Sequence, residues 1–260
     1  MSARKAFKIV RIFILSMILV GVALGSWLTS KRSTDWEQPL WIAIYPINAD
    51  NSRVTQQYIN ELELQDFQAI EEFMSEEAEA FKLSLKHPFT IKLAPQVESL
   101  PPEPPESGAT WEIIIWSLKL RYWAYQANTY QGPAPHIRVF VKYYDVQNQQ
   151  PLAHSLGLPQ GMLGIINAFA TKKMTQSNSV VITHEILHTL GASDKYDLAT
   201  GLPVFPEGYA EADRQPRYPQ ETAEIMAGKI PVSDSKIAIP RGLHQVIIGR
   251  QTAREILWLK

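Results

Sequence analysis

Residues 184–188 read His-Glu-Ile-Leu-His, and this short pattern constrains the fold more than any other part of the chain. On an α-helix, side chains four residues apart project from the same face, so His184 and His188 can hold one metal ion together. Glu185 follows the first histidine, where its carboxylate can reach a water molecule on that ion. The pattern therefore predicts a helix with a Zn²⁺ site, with both histidines as ligands and Glu185 as the general base.

A glycine and two aspartates follow the histidines at useful distances. Gly191 comes three residues after His188, where a glycine in the left-handed conformation can end a helix and turn the chain. Asp194 comes three residues later, and the turn lets its carboxylate approach the metal. We therefore expect Asp194 to be the third ligand. Asp197 is the alternative third ligand, and it could equally cap the turn or pair with Lys195.

The residue types in the chain indicate what kind of metal site to expect. The apolar, β-branched residues at 179–183 favour a buried helix over the competing interpretation, a solvated helix face on which Glu185 pairs with a neighbouring histidine. The chain contains no cysteine, so nitrogen and oxygen must hold the metal, which suits a catalytic zinc site better than a structural one. Its formal net charge of −1 gives no indication of a nucleic-acid partner.

The N-terminal part of the chain differs from the rest. Residues 12–28 are uncharged and follow several basic residues, which predicts a membrane-spanning anchor with its N-terminus in the cytoplasm. The chain would then comprise an anchor (1–30), a tether (31–38) and one domain (39–260) in the periplasm or at the cell surface. The alternative is a signal peptide, cleaved near Ala23-Leu24-Gly25, that releases a secreted protein.

The hydrophobic pattern predicts a domain of class α+β. Strands are expected at Leu40–Ile47, Phe89–Leu93, His136–Tyr144 and Leu163–Ala170. Helices are expected at 54–85, Trp111–Tyr125, the histidine segment and Arg241–Leu259. Five prolines make Pro95–Pro105 an extended loop, and residues 197–240 are expected to be irregular.

This order of elements, together with the histidine motif, resembles the metzincin-type zinc metallopeptidases. Their signature is H-E-x-x-H-x-x-G-x-x-H, and this chain matches it at His184, Glu185, His188 and Gly191. Asp194 stands where the last histidine usually does, as in the snapalysin-like bacterial proteases. The string Gly-Ala-Ser-Asp-Lys-Tyr-Asp at 191–197 is also similar to the immune inhibitor A type of bacterial protease.

The resemblance implies a zincin-like fold, in which a twisted mixed sheet packs on helices and an irregular C-terminal subdomain ends in a helix. It also implies a zinc endopeptidase with a peptide or protein substrate. Met226 is then the candidate for the methionine turn beneath the metal. Many metzincins have a tyrosine two residues after that methionine, where this chain has Gly228, so Tyr209 or Tyr218 is expected to stabilise the transition state instead.

Other interpretations stay open at this point. The chain could be a non-catalytic zinc-binding scaffold of the cell envelope, or a zinc hydrolase acting on an amide that is not a peptide. A gluzincin-like site would need Glu207 or Glu211 as third ligand, and Gly191 argues against that arrangement. The remaining histidines have no motif around them and are expected to have no catalytic role; they are His87, His136, His154 and His244.

Overall fold

A computed structural model describes residues 34–105, 107–148 and 155–259, together with Arg11, Phe13, Ser16 and Met17. Its centre is a five-stranded sheet in the order β2-β1-β3-β5-β4. The strands are β1 (Leu40–Asn48), β2 (Phe89–Leu93), β3 (Ile137–Tyr144), β4 (Leu156–Leu158) and β5 (Leu163–Phe169). All pairings are parallel except that of β4, an edge strand antiparallel to β5. The predicted α+β class with a mixed sheet is confirmed.

Five α-helices accompany this sheet in the described part of the chain. They are α1 (Arg53–Asn60), α2 (Gln68–Ala80), α3 (Thr110–Gln126), α4 (Thr175–Thr189) and α5 (Arg250–Glu255). Side chains alternate between the two faces of a strand. Accordingly, Ile42 and Ile44 belong to the core shared with α1, α2 and α4, whereas Ala43 and Tyr45 belong to a second core under α3.

The connections explain why α3 lies alone on its face. From β1 to β2 the chain moves in one direction across the sheet, and from β2 to β3 it moves back past β1. Right-handed crossovers in opposite directions place their helices on opposite faces. The order of the strands therefore separates α3 from α1 and α2, and the helix that carries the histidines packs on the same face as α1 and α2.

The single helix predicted over 54–85 is wrong, because two breaks divide it. Helix α1 ends at Asn60, and a 3₁₀ turn (Leu64–Phe67) follows, where the Glu63 backbone N–H donates to the Asp66 carboxylate at 2.9 Å. Helix α2 ends at Ala80, because Lys82 adopts a left-handed conformation (φ 57°). The side-chain cap at Asp66 and the left-handed Lys82 therefore interrupt the helix, although the apolar spacing continues past both positions.

The terminal helix predicted over Arg241–Leu259 is also wrong in its extent. Only Arg250–Glu255 are α-helical. Val246–Ile247 instead form a strand, β9, which pairs in parallel with β6 (Ala223–Glu224). A tertiary pairing with a distant segment therefore replaces the helix that the local pattern indicates. Two further short strands, β7 (Ile230–Pro231) and β8 (Ile237–Ala238), pair within the irregular region.

The prediction of a transmembrane helix is wrong for the part of the chain that the structure describes. No helix there is both long and apolar enough to cross a membrane. The apolar helix α3 has 17 residues, includes Glu112, Lys119 and Arg121, and packs on the sheet. The segment for which the anchor was predicted, residues 1–30, lies outside the described residues apart from four positions.

Candidate metal centre

Helix α4 carries the histidine motif into the core. Val180, Ile186 and Leu187 are buried on its inner side, so packing against the sheet fixes the orientation of the helix. The helix ends at Thr189, and Gly191 has φ 102°, the left-handed conformation expected of a glycine that turns the chain. This turn brings the following residues back toward the histidine face of the helix.

Three side chains that can bind a metal converge at this turn. The Asp194 Oδ1 atom lies 3.2 Å from His184 Nε2 and 3.1 Å from His188 Nε2. The two imidazole rings meet edge to face, with centroids 4.6 Å apart. Ligand atoms from the three residues lie within 4.8 Å of one another. All three side chains are partly open to solvent, so an ion can reach them.

The second nitrogen of each histidine contacts a backbone carbonyl. His184 Nδ1 lies 2.9 Å from the Ile225 oxygen, and His188 Nδ1 lies 2.8 Å from the Ala192 oxygen. A carbonyl can only accept, so each Nδ1 carries a hydrogen and donates it. When the ring is neutral, each Nε2 then points its lone pair at the cluster, as a metal ligand must.

Glu185 lies beside this cluster, almost fully buried. Burial raises the pKa of its carboxyl group, although the neighbouring His184 and His188 oppose that rise. The Gly157 backbone N–H donates a hydrogen bond to the carboxylate, but Oε2 is buried without a hydrogen-bond partner. A buried carboxylate oxygen next to two imidazoles is suited to accept a proton from a water molecule.

The edge strand β4 passes directly over the helix at this point. A side chain at Gly157 would collide with the Glu185 carbonyl oxygen and with the His188 side chain. Only glycine allows a backbone approach this close. The sequence prediction did not include β4, and the one available signal was a glycine flanked by two leucines.

Electrostatics distinguish Asp194 from an ordinary exposed aspartate. Burial opposes its ionisation, but hydrogen bonds from His184 and His188 outweigh burial and hold the pKa of Asp194 well below its usual range. Burial would lower the pKa of His188, yet the contact with Asp194 raises it overall. In the metal-free chain the site therefore attracts a proton to the position between the carboxylate and the imidazoles. A cation bound there would satisfy the same three groups.

The segment after β6 forms the floor of the site. Ile225 provides the carbonyl that holds His184, and the Met226 carbonyl accepts the Lys195 backbone N–H at 3.0 Å. Met226 itself is fully buried. Gly228 closes the turn with φ 66°, a left-handed conformation in which a tyrosine would be strained.

Glu224 holds the segment beneath the site in place through hydrogen bonds. Its fully buried carboxylate accepts the Met226 and Ala227 backbone N–H groups at 2.6 and 3.0 Å. The other oxygen accepts from the Gly249 N–H at 3.1 Å and from the Thr252 hydroxyl at 2.6 Å, at the start of α5. One carboxylate thus joins the turn beneath the site to the C-terminal helix, a role that sequence reasoning missed.

A second carboxylate, Glu255, holds the loop that carries Asp194. Its oxygens accept the Ser193 backbone N–H and hydroxyl, each at 2.9 Å, and the Lys195 ammonium at 2.6 Å. Lys195 is buried, and its ammonium also donates to the Ser193 carbonyl at 2.7 Å. Both chain neighbours of Asp194 are therefore tied to helix α5.

We expect Glu255→Gln to weaken zinc binding by up to about 10-fold, the lower end of the effect of losing a group that hydrogen-bonds a metal ligand directly, because Glu255 acts on Asp194 only through Ser193 and Lys195. The amide keeps the size of the side chain but loses the charge that pairs with Lys195, so Asp194 is held less firmly. Competition with a chromophoric chelator measures the affinity. Arg254→Gln, at an exposed neighbouring position of the same helix, is the matched control. Equal affinity in both variants would contradict this positioning role.

A cavity of about 490 Å³ opens beside His184 and Glu185. Its walls are largely apolar, with Val180, Val181 and Ile225 among them. Tyr196 also lines it, and the hydroxyl of this residue interacts with Asp194. The cavity gives a substrate room next to the candidate base.

Neither tyrosine expected to stabilise a transition state lines this cavity. The Tyr209 and Tyr218 hydroxyls instead hydrogen-bond to each other at 2.8 Å. Tyr209 borders a different cavity with Glu207 and Arg254. Tyr196, two residues after Asp194, is the tyrosine at the site, and its position in the sequence beside the expected ligand was the available signal.

The remaining sequence candidates lie away from the cluster. Asp197 accepts the Thr200 backbone N–H and hydroxyl, both at 2.8 Å, so it caps a turn. Glu211 pairs with Arg214. His136 accepts the Trp41 backbone N–H, and His87 contacts Ser75. His154 lies outside the described residues.

The donor set fits Zn²⁺. Two imidazole nitrogens and one carboxylate oxygen, all on one side, are a common protein contribution to a catalytic zinc site, and they leave a position for water. Glu185, whose Oε2 has no partner, lines the same cavity as His184. No protein-family model matches this sequence, and a search of curated proteins finds no significant match.

Proposed function

We propose that this protein is a zinc-dependent hydrolase that cleaves peptide bonds, with a metzincin-like arrangement of its site. The observation that carries the proposal is the convergence of His184, His188 and Asp194 beside a buried carboxylate, Glu185, with one unpartnered oxygen. The left-handed Gly191 and the buried Met226 beneath the site support the metzincin-like part of the proposal.

His184, His188 and Asp194 would hold the ion. When bound, Zn²⁺ supplies a Lewis acid that polarises a carbonyl group and lowers the pKa of a water molecule. Glu185 takes the proton of the attacking water and then delivers it to the nitrogen of the leaving amine. Its burial favours this role, because a carboxylate in an apolar surrounding holds a proton more readily.

Tyr196 is our candidate for the group that stabilises charge on the substrate oxygen. Its hydroxyl lies at the cavity beside Asp194, and a phenol is a hydrogen-bond donor. The removal of one such donor typically costs 10²- to 10³-fold in kcat. The strand β4 supports a peptide as substrate, because an edge strand next to the base can pair with an extended chain.

The proposal predicts that chelation removes both metal and activity. The purified protein should contain about one zinc ion per chain, measured by plasma mass spectrometry. Dialysis against a chelator should abolish cleavage of an unfolded protein substrate, and added Zn²⁺ should restore it. Activity that persists in the metal-free protein would overturn the proposal.

The same preparation separates the two competing functions. A protein that binds zinc but cleaves no member of a broad peptide library would be a zinc-binding scaffold. A protein that releases amine only from amides other than peptides would be a hydrolase of another class. Cleavage-site profiling of the zinc-loaded protein by mass spectrometry distinguishes these outcomes from peptide hydrolysis.

A further inference from the structure

Helix α3 exposes a large apolar stripe on the face of the sheet that lies opposite the metal centre. Its inner side is buried through Leu120 and Ala124. Its outer side presents Trp111, Ile114, Ile115, Leu118, Tyr122 and Tyr125, each between 44 and 74% exposed. These residues follow the three- and four-residue spacing of one helix face. An apolar patch of this kind on a folded domain marks an interaction surface.

The partners of the inner tryptophans show that α3 is firmly attached to the domain. Trp116 donates its indole N–H to the Pro102 carbonyl, and Trp123 donates to the Ser99 hydroxyl, each at 2.9 Å. Both acceptors belong to the proline-rich loop before the helix. These contacts hold the inner side of α3 against the domain, so the described part of the chain leaves the outer stripe exposed.

Charge borders the stripe on both sides. With 3.6 residues per turn, Lys119 falls just beyond one edge of the stripe and Arg121 just beyond the other. The stripe itself contains no acidic residue. Glu112, the acidic residue of the helix, is hydrogen-bonded to Ser107. The face is therefore apolar in the middle, with Arg121 along one border and Lys119, next to the hydrogen-bonded Glu112, along the other.

The stripe combines aromatic and aliphatic side chains. Trp111, Tyr122 and Tyr125 are its aromatic residues, and Ile114, Ile115 and Leu118 are its aliphatic ones. Tryptophan and tyrosine prefer the level of lipid headgroups, and cations beside an apolar face reach toward anionic headgroups. A specific protein interface would instead have directional polar groups around its apolar centre.

We propose that the outer stripe of α3 binds the surface of a bilayer that contains anionic lipid, with the helix lying in the plane of the interface. The aliphatic residues enter the boundary of the acyl chains, and Lys119 and Arg121 contact the headgroups. The helix does not cross the bilayer, because its opposite side stays packed on the sheet. The metal centre then faces away from the lipid.

The absence of cysteine from the chain allows a direct test. A single cysteine at position 118 (Leu118→Cys), labelled with a polarity-sensitive fluorophore in the full-length chain, reports on the stripe alone. Glu72→Cys, at an exposed position of α2 on the other side of the sheet, is the matched control. Both proteins carry the same N-terminal segment, so a difference between them reports on α3.

With phosphatidylglycerol-containing vesicles, the label at 118 should shift to the blue and be quenched by brominated acyl chains, while the label at 72 should not. No response at either site, or an equal response at both, would overturn the proposal. A response at 118 that grows with protein concentration without vesicles would also overturn it, in favour of a second copy. Binding to an added protein but not to vesicles would assign the stripe to a protein partner instead.

Removal of single charges tests the two cations separately. Lys119→Gln and Arg121→Gln should each weaken binding to anionic vesicles roughly fivefold, the factor that corresponds to about 1 kcal/mol per cation near an anionic surface. Binding should fall as salt is raised. Equal binding of wild type and both variants would contradict the role of anionic headgroups. Far-UV circular dichroism serves as the check that each variant is folded.

Discussion

Glu185→Gln should reduce kcat for peptide hydrolysis by about 10²- to 10⁴-fold, the usual contribution of a general base. The amide fills the same buried position between strand β4 and the histidines but cannot accept a proton. Zinc content should stay at the wild-type level, because Glu185 is not one of the three converging ligands. Steady-state kinetics together with metal analysis of the same preparation measures both quantities.

Glu207→Gln is the matched control for this experiment. Glu207 is an exposed glutamate beside a different cavity, so its amide should leave kcat unchanged. If Glu185→Gln retained full activity with normal zinc content, Glu185 could not be the base. If Glu185→Gln lost its zinc as well, Glu185 would take part in holding the metal, and the division into three ligands and a separate base would be wrong.

Asp194→Ala should lower zinc affinity by more than the roughly 10- to 100-fold that the loss of an outer-shell partner causes. The substitution removes the only carboxylate in the cluster, whose Oδ1 lies 3.1–3.2 Å from both histidine Nε2 atoms. It should therefore also abolish hydrolysis at ordinary zinc concentrations. Competition with a chelator gives the affinity, and added zinc tests whether activity returns.

Asp197→Ala separates the two aspartates that the sequence alone could not distinguish. Asp197 accepts two hydrogen bonds from Thr200, so its loss should loosen a turn without changing zinc affinity. A large loss of affinity in Asp197→Ala with little change in Asp194→Ala would assign the third ligand to Asp197. That result would require the loop after Gly191 to adopt a different path when metal binds.

The sequence was sufficient for features that depend on neighbouring residues. The four-residue spacing of His184 and His188 on a helix and the left-handed turn at Gly191 follow from local geometry, and both occur in the structure. The predicted strands occur within one residue of their expected bounds, because buried strands have short apolar runs between polar segments. These features need no knowledge of the rest of the fold.

Predictions from the local sequence were wrong where contacts with other segments determine the structure. The helix expected at Arg241–Leu259 is shortened because Val246–Ile247 pair with β6. The transition-state group expected at Tyr209 or Tyr218 is not at the cavity, since those hydroxyls bond to each other. In the first case a pairing with a segment remote in sequence determines the outcome, and apolar periodicity contains no information about it. In the second case the resemblance to a family suggested the tyrosines, and it contains no information about their contact with each other.

The sequence by itself determined the chemistry that can converge on one side of α4, namely two imidazoles, a carboxylate base and a nearby aspartate. Only the tertiary structure decided what holds them in place. Glu255 reaches the Asp194 loop from a helix some sixty residues later, and Gly157 approaches from an unpredicted strand. The structure also decided which side of α3 is buried. Both sides of that helix are apolar, so the sequence pattern could not show that the side with Leu120 and Ala124 packs on the sheet and the other side stays exposed.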